Sequence, residues 1–457
     1  MTNQNNPHIL GTEPIGKLLL QYSIPAIIGM TVTSLYNIID SIFIGHGVGA
    51  MAISGLAISF PLMNLIIAVS TLVGIGGSAI SSIRLGQKDR AGATEVLGTV
   101  LMLCLVNSVV FGSLFLIFLN PILIFFGASS TTLPYAHDFM QVILLGTPIS
   151  YTMISLNNVM RATGYPKKAM LSSMITVLAN VILAPIFIFK FHWGIKGAAL
   201  ATVISQFIGM IWVLHHFMNK DSYVHFQKGF HKIRKQVVLN IFSIGMSPFL
   251  MNVCACGIVI IINKSLEDNG GDMAIGAYGI INRVQTLFVM VVLGVTMGMQ
   301  PIIGYNYGAK QIDRVKKTLK AGIIAGFSIM SLGFVLCELF PHAISAMFTN
   351  DDSLIGLAAT GLRISVLAFP LVSCQIVISN FFQSIGKAKV SIFLSLSRQL
   401  IYLLPCLLIL PSMFGTKGVW GSMAVSDFMS FFTAIAMLTI HIKKISKQNQ
   451  IMAENRA

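Results

Sequence analysis

MAISGLAI at residues 51–58 returns as MAIGAYGI at 273–280, 222 residues later. The same spacing relates Gly76 and Gly86 to Gly298 and Gly308, Pro148 to Pro370, Asn158 to Asn380 and Gly164 to Gly386. After one deletion, GIKG at 194–197 meets GTKG at 415–418. Self-similarity at a single period over most of a chain means that one architectural element has been used twice.

Composition says what that element is. Of 457 residues, 55% are hydrophobic and 10% charged, where a soluble domain carries about 25% charged residues. Apolar runs of roughly twenty residues recur throughout, each long enough to cross a hydrocarbon core of about 30 Å as a helix. A transmembrane barrel would instead give short alternating strands. With Gly, Pro and charge clusters as breaks, six spans fall near 18–44, 52–76, 94–119, 138–160, 169–189 and 195–218. Six more fall near 237–264, 273–298, 318–341, 354–380, 388–410 and 417–441. The expected fold is an all-α polytopic membrane protein, with twelve transmembrane helices in two six-helix lobes. Six is even, so both lobes keep one orientation and a pseudo-two-fold axis runs along the membrane normal. This places an N-lobe at 1–218, a cytoplasmic linker at 219–236, a C-lobe at 237–445 and a cytoplasmic tail at 446–457. A substrate path between two such lobes is the natural expectation. The N-terminus is polar, and the first apolar segment is too long for a signal h-region and lacks a small-residue cleavage site, so it is expected to stay in the mature chain.

The net charge of +15 is explained by position. If the N-terminus is cytoplasmic, 23 Lys and Arg lie on the inner side and only Lys190, Lys196, Lys264 and Lys417 on the outer. The positive-inside rule then predicts a multi-pass protein with both termini cytoplasmic. The inner basic loops face anionic lipid headgroups, and no nucleic acid is implied. The six cysteines all fall in apolar segments without ligand spacing, and the ten histidines form no HExxH pattern. No metal, cofactor or enzyme chemistry is expected, and no Walker motif suggests ATP-driven transport.

Five motifs now carry a resemblance: LYNIIDSIFIGHGVG at 35–49, LGQKDRAGA after the second span, NNVMRATGYPKKAM after the fourth, NVILAPIFIF in the fifth and QPIIGYNYGAK after the eighth. Together they resemble the MATE (multidrug and toxic compound extrusion) transporters over essentially the whole chain, most of all the bacterial branch of MepA-like exporters. The resemblance implies a two-lobed antiporter of the bacterial plasma membrane, acting as a monomer. It would exchange protons, or possibly sodium, for small amphipathic or cationic compounds. A related flippase or exporter of an endogenous lipid-linked or metabolite substrate is the alternative, for which a more cationic interior than three intramembrane arginines is expected.

Asp40 is the residue to which the chemistry points. It shares one helix face with Thr33, Tyr36 and Asn37 at i−7, i−4 and i−3. A charge near the bilayer centre costs roughly 2.5–3.5 kcal/mol on insertion scales, relieved by a proton, a cation or a polar cavity. Each relief suits an ion-coupling site. In the fifth span, Asn180 precedes Ala184 and Pro185; proton-coupled members of the family place a second carboxylate where Ala184 stands. Asp40 is therefore expected to work with neutral partners in the cavity, of which Asn180, Asn158, Tyr36 and Asn37 are candidates. In the C-lobe, the depths of Arg398 and Asp427 allow an ion pair. Arg283, with Tyr278, Asn282 and Gln285, is expected to extend a C-lobe polar network facing the bundle or a cavity. Prolines within spans, notably Pro25, Pro61, Pro148, Pro185, Pro248 and Pro370, mark places for kinks. Pro25 is the candidate hinge beside Asp40.

Overall fold

A computed structural model describes residues 7–227 and 233–454, with side chains except at 35–38, 50 and 444–454. Residues 228–232 of the linker and 455–457 of the tail lie outside the described residues. Every regular element among the described residues is helical. The spans are built from α1 (Ile15–Gly47), α2 (Ala50–Gly86), α3 (Arg90–Ile117), α4 (Leu133–Leu145), α5 (Thr147–Ala162), α6 (Pro166–Pro185) and α7 (Gly194–Met218). The repeat continues with α8 (Lys235–Gly308), α9 (Ile312–Leu339), α10 (Asp352–Val366), α11 (Phe369–Ser384), α12 (Ala388–Leu396), α13 (Leu404–Phe414) and α14 (Thr416–Glu454). Among the described residues, nine helical stretches are long and apolar enough to cross a membrane, or eleven if α4–α5 and α10–α11 are each one bent span. Counting the two arms of α8 separately, as its non-helical Gly271 requires, brings the number to twelve.

The bent spans have a chemical cause. Pro148 and Pro370 are each the second residue of the second helix of a bent pair, where a missing N–H leaves no bond unmade. The preceding helix has to end before the proline, and the chain restarts at 58° and 51°. Pro25 and Pro61 stay inside α1 and α2 without a break. After Pro185 the helix continues as a π-helical turn, Ile186–Lys190, and α12 passes into α13 through a second one, Ser397–Leu403.

The repeat written in sequence is also a repeat of backbone conformation. Left-handed residues pair at the same spacing of 222: Gly49 with Gly271, Lys88 with Lys310, and Gly164 with Gly386. Gly194 and Gly415 pair one residue closer, past the deletion. Lys88 and Lys310, at φ 63° and 59°, hold a conformation in which Cβ crowds the following carbonyl. Both lysines close a helix just before the next begins, at Arg90 and Ile312.

The described chain divides into two compact units. One holds residues up to Glu13 together with Ile24–Asn252, the other Pro14–Ser23 together with residues from Val253 on. Of the three divisions, two fall inside helices, at 23/24 in α1 and at 252/253 in α8, and the third falls just before α1. In the first unit α2 lies so close to the first arm of α8 that a Cβ on Gly76 would collide with the Ile241 carbonyl oxygen, and one on Gly245 with that of Leu72. In the second unit Gly298, the repeat of Gly76, lies as tightly on Ser23, whose hydroxyl donates to the Val295 carbonyl at 3.4 Å. Lipid provides no hydrophobic drive between helices, so close backbone approach over small residues supplies the packing.

Asp89, between α2 and α3 and outside the spans, caps α3 by accepting the Gly92 N–H at 2.7 Å. Its other oxygen meets Arg84 Nη1 at 2.6 Å. The backbone hydrogen bond, and then the guanidinium, hold its carboxyl below the usual carboxylate range.

Candidate functional site

Asp40 lies near the C-terminal end of α1 and is only 7% exposed. Its Oδ1 has no hydrogen-bond partner among the described residues. A buried acceptor left unsatisfied costs about 1–3 kcal/mol, more if charged. Of its expected neighbours on that face, Thr33 turns its hydroxyl back to the Gly29 carbonyl at 2.8 Å. The side chains of Tyr36 and Asn37 lie outside the described residues. Among the described residues of the first unit, none satisfies this oxygen.

Asn180 is buried in α6, and its amide donates to Thr202 Oγ1 of α7 at 3.1 Å. It bridges two helices instead of capping backbone freed by Pro185. Ala184, one turn further, is fully buried and contributes a methyl group. Asn158 in α5 donates to the Ile154 carbonyl at 3.1 Å and accepts from Arg161 Nη1 at 3.3 Å. No hydrogen bond among the described residues joins Asn158 or Asn180 to Asp40. Arg161 is held by amides, with Asn157 Oδ1 3.2 Å from its Nη2. Asn157 in turn donates to Ser172 Oγ and to the Ala169 carbonyl, the latter at 2.9 Å, tying α5 to α6.

The second unit contains the expected ion pair. Arg398 Nε donates to Asp427 Oδ1 at 2.6 Å. The Asp427 side chain is 7% exposed and that of Arg398 31%. Beside them, the Tyr402 and Thr433 hydroxyls are hydrogen-bonded at 2.6 Å, a second link between the π-helical turn and α14. The rest of the expected network does not join them. Tyr278 is buried, Gln285 half-buried, and Asn282 and Arg283 are exposed. None of the four is hydrogen-bonded to the pair among the described residues. Arg363 is paired in the last turn of α10, its Nε 3.7 Å from Glu338 Oε2.

The chain repeats its own turns, with a carboxylate oxygen that has no hydrogen-bond partner among the described residues in one unit and a buried ion pair in the other. The MatE family model matches residues 25–186 and again 237–408. The chain belongs to the MatE family. Two separate matches, one to each half, are what the spacing of 222 requires. Among curated relatives, the multidrug export protein MepA of Staphylococcus haemolyticus (strain JCSC1435) is 28% identical over 92% of each chain. MepA of Staphylococcus aureus (strain N315) is 27% identical over 94% of each. A crystal structure of a MATE in complex with MaL6 shares the fold at a TM-score of 0.92, covering 98% of this chain and 100% of that one at 24% identity.

Within this MatE chain, sequence reasoning missed three polar residues. Thr202 was hidden because a lone threonine in an apolar helix carries no periodic signal. Asn157 and Arg161 sit in the NNVMRA motif, but only Asn158 attracted notice, through its repeat at Asn380. The repeat also held the clue to Asn157. At its counterpart, Ser379, a second side-chain seam crosses between α11 and α12, with Ser379 Oγ 2.9 Å from Ser395 Oγ.

Proposed function

We propose that this MatE chain is a secondary antiporter that exports amphipathic or cationic compounds from a bacterial cytoplasm in exchange for protons, with Asp40 as the coupling carboxylate and both termini cytoplasmic. Support comes from the family, from relatives named multidrug export proteins, and from the Lys and Arg asymmetry of the loops. The observation that carries it is the buried Asp40, whose Oδ1 has no hydrogen-bond partner among the described residues. Such a group is stabilised by whichever positive species reaches it. A proton and a substrate cation that compete for one carboxylate displace each other, and this reciprocity is the condition for exchange. Asn180 with Thr202, and Asn158, supply neutral dipoles on the same unit. Pro25 leaves one helical hydrogen bond unmade in α1 and is the point at which that helix bends between states.

The test is ethidium accumulation in inverted vesicles under an imposed proton or sodium gradient, for the wild type and Asp40→Asn. The variant is expected to fall to the level of empty vesicles. Full accumulation by Asp40→Asn would sink the assignment, and a response to sodium alone would sink proton coupling. Unchanged transport by Pro25→Ala would remove the hinge.

A further inference from the structure

Leu119–Phe125 and Pro341–Ala346 are short helices that belong to no span. Each directly follows a long span, after Ile117 of α3 or Leu339 of α9, and each packs on the first helix of the bent span it leads into, α4 or α10. An odd number of crossings, three and nine, separates them from the N-terminus, so each lies on the membrane face away from that terminus. Both are amphipathic in the same register. Leu119 and Leu123, one turn apart, are buried, and so are their repeats Pro341 and Ser345. Phe118, Ile124 and Phe125 turn outward in one unit, Phe340 and Met347 in the other. Phe125 is 81% exposed and its repeat Met347 80%.

What covers these side chains follows from the surface they continue. Val110, Leu114 and Ile117 of α3 are exposed, and so are their repeats Leu332, Leu336 and Leu339 of α9. At helical spacing each set is one stripe, and the apolar stripe of a span is solvated by lipid. The exposed apolar surface goes on at the very next residue, Phe118 or Phe340, and through the short helix. No Asp, Glu, Lys or Arg occurs at 96–137 or at 339–350, so a partner of either charge has nothing to pair with there. Left in water, such a face promotes aggregation. The boundary between uncharged headgroups and the first methylenes of the acyl chains suits large apolar side chains on a short helix beside a span end.

We propose that Leu119–Phe125 and Pro341–Ala346 are interfacial anchors, inserted through Phe118 and Phe125 in one and Phe340 and Met347 in the other at the headgroup–acyl boundary of the leaflet away from the N-terminus. Each anchor sets the depth at which its bent span enters the membrane. Anchoring of this kind is independent of what is exported.

The full chain is reconstituted in phosphatidylcholine nanodiscs with one tryptophan added, by Phe125→Trp, Met347→Trp or, as a water-facing reference in the linker, Asp221→Trp. All three positions are exposed, so the substitutions spare the fold. The signal is the emission in excess of the wild type, which has three tryptophans of its own. At 125 and 347 it is expected to be blue-shifted from the reference and protected from iodide. Lipids brominated near the headgroup should quench it about twofold or more better than lipids brominated near the chain end, as an insertion of roughly 5–10 Å requires. Quenching by iodide and not by lipid would return the face to water, and protection from both would mean that protein covers it, a second copy of the chain included. Stronger quenching from the chain ends would make the short helices part of the spans. Each of these results would overturn the anchors, as would insertion at one position alone, since the repeat demands both.

Discussion

Asp40 and Asp427 are both carboxylates inside membrane spans, 7% and 5% exposed, yet their surroundings are opposite. Asp427 has Arg398 Nε at 2.6 Å, whereas Asp40 Oδ1 has no hydrogen-bond partner among the described residues. The two units repeat each other in span order and in left-handed turns, so the scaffold did not dictate these charges. Burial with a counterion ties helices together, whereas burial without one leaves the carboxyl's lost hydration uncompensated. The repeat teaches which polar residues are architecture and which are added to it.

The sharpest way to break this comparison is to remove each carboxylate. Asp427→Ala strands a guanidinium and should cost about 3 kcal/mol, the low end for a broken buried pair because Arg398 is part exposed. Asp40→Ala should leave stability equal or raise it. Thermal unfolding of both purified variants decides, and a large loss at Asp40 would make it a structural residue.

Next in size is the pair of close glycines. Gly76→Ala forces a methyl against a backbone carbonyl and Gly298→Ala against Ser23, so each should lose about 1–3 kcal/mol. Gly76→Ala should lose more, because part of Ser23 is a side chain that can rotate. Equal and negligible losses would mean that the helix backbones separate freely.

A smaller effect distinguishes the two interhelical turns. Asp89 caps α3, whereas its repeat Gln311 stands before α9 without a side-chain cap. Asp89→Gln should therefore cost about 1 kcal/mol, and Gln311→Asp should gain a comparable amount. The Asp89 carboxyl is held below its ordinary range, so its contribution is complete above that range and declines as pH falls through the lowered folded-state value. The melting-temperature gap between wild type and Asp89→Gln should accordingly narrow in acid; a gap that widens there would reverse the sign. Smallest of all, Lys88→Gly and Lys310→Gly relieve the same left-handed crowding and should each stabilise by up to about 1 kcal/mol.

Much of this was legible in the sequence. The period of 222 paired Gly164 with Gly386, where glycine marks a backbone that other residues rarely adopt; the pairing of Gly49 with Gly271 emerges from the backbone angles. Pro148 and Pro370 marked real breaks, and Asp40 and Arg398–Asp427 were found because charges inside apolar spans are few. The rest depends on geometry that residue type does not encode. Arg283 and Asn282 were placed in one network with Arg398, but a shared polarity says nothing about which helix faces meet. Pro25 and Pro61 look like Pro148 in sequence, yet the helices around them continue. The membership of residues 14–23 in the second unit is set by backbone approach at Gly298, a contact that no hydrophobic pattern announces.

That membership has a consequence in time. Ser23 and Val295, joined by a hydrogen bond, are 272 residues apart, so at about 5–20 residues per second of synthesis the start of α1 waits roughly 15–55 s for its neighbours. A helix made early is thus completed late, and the N-terminal turns of α1 depend on the membrane or the insertion machinery for shelter until the second half of the chain is made.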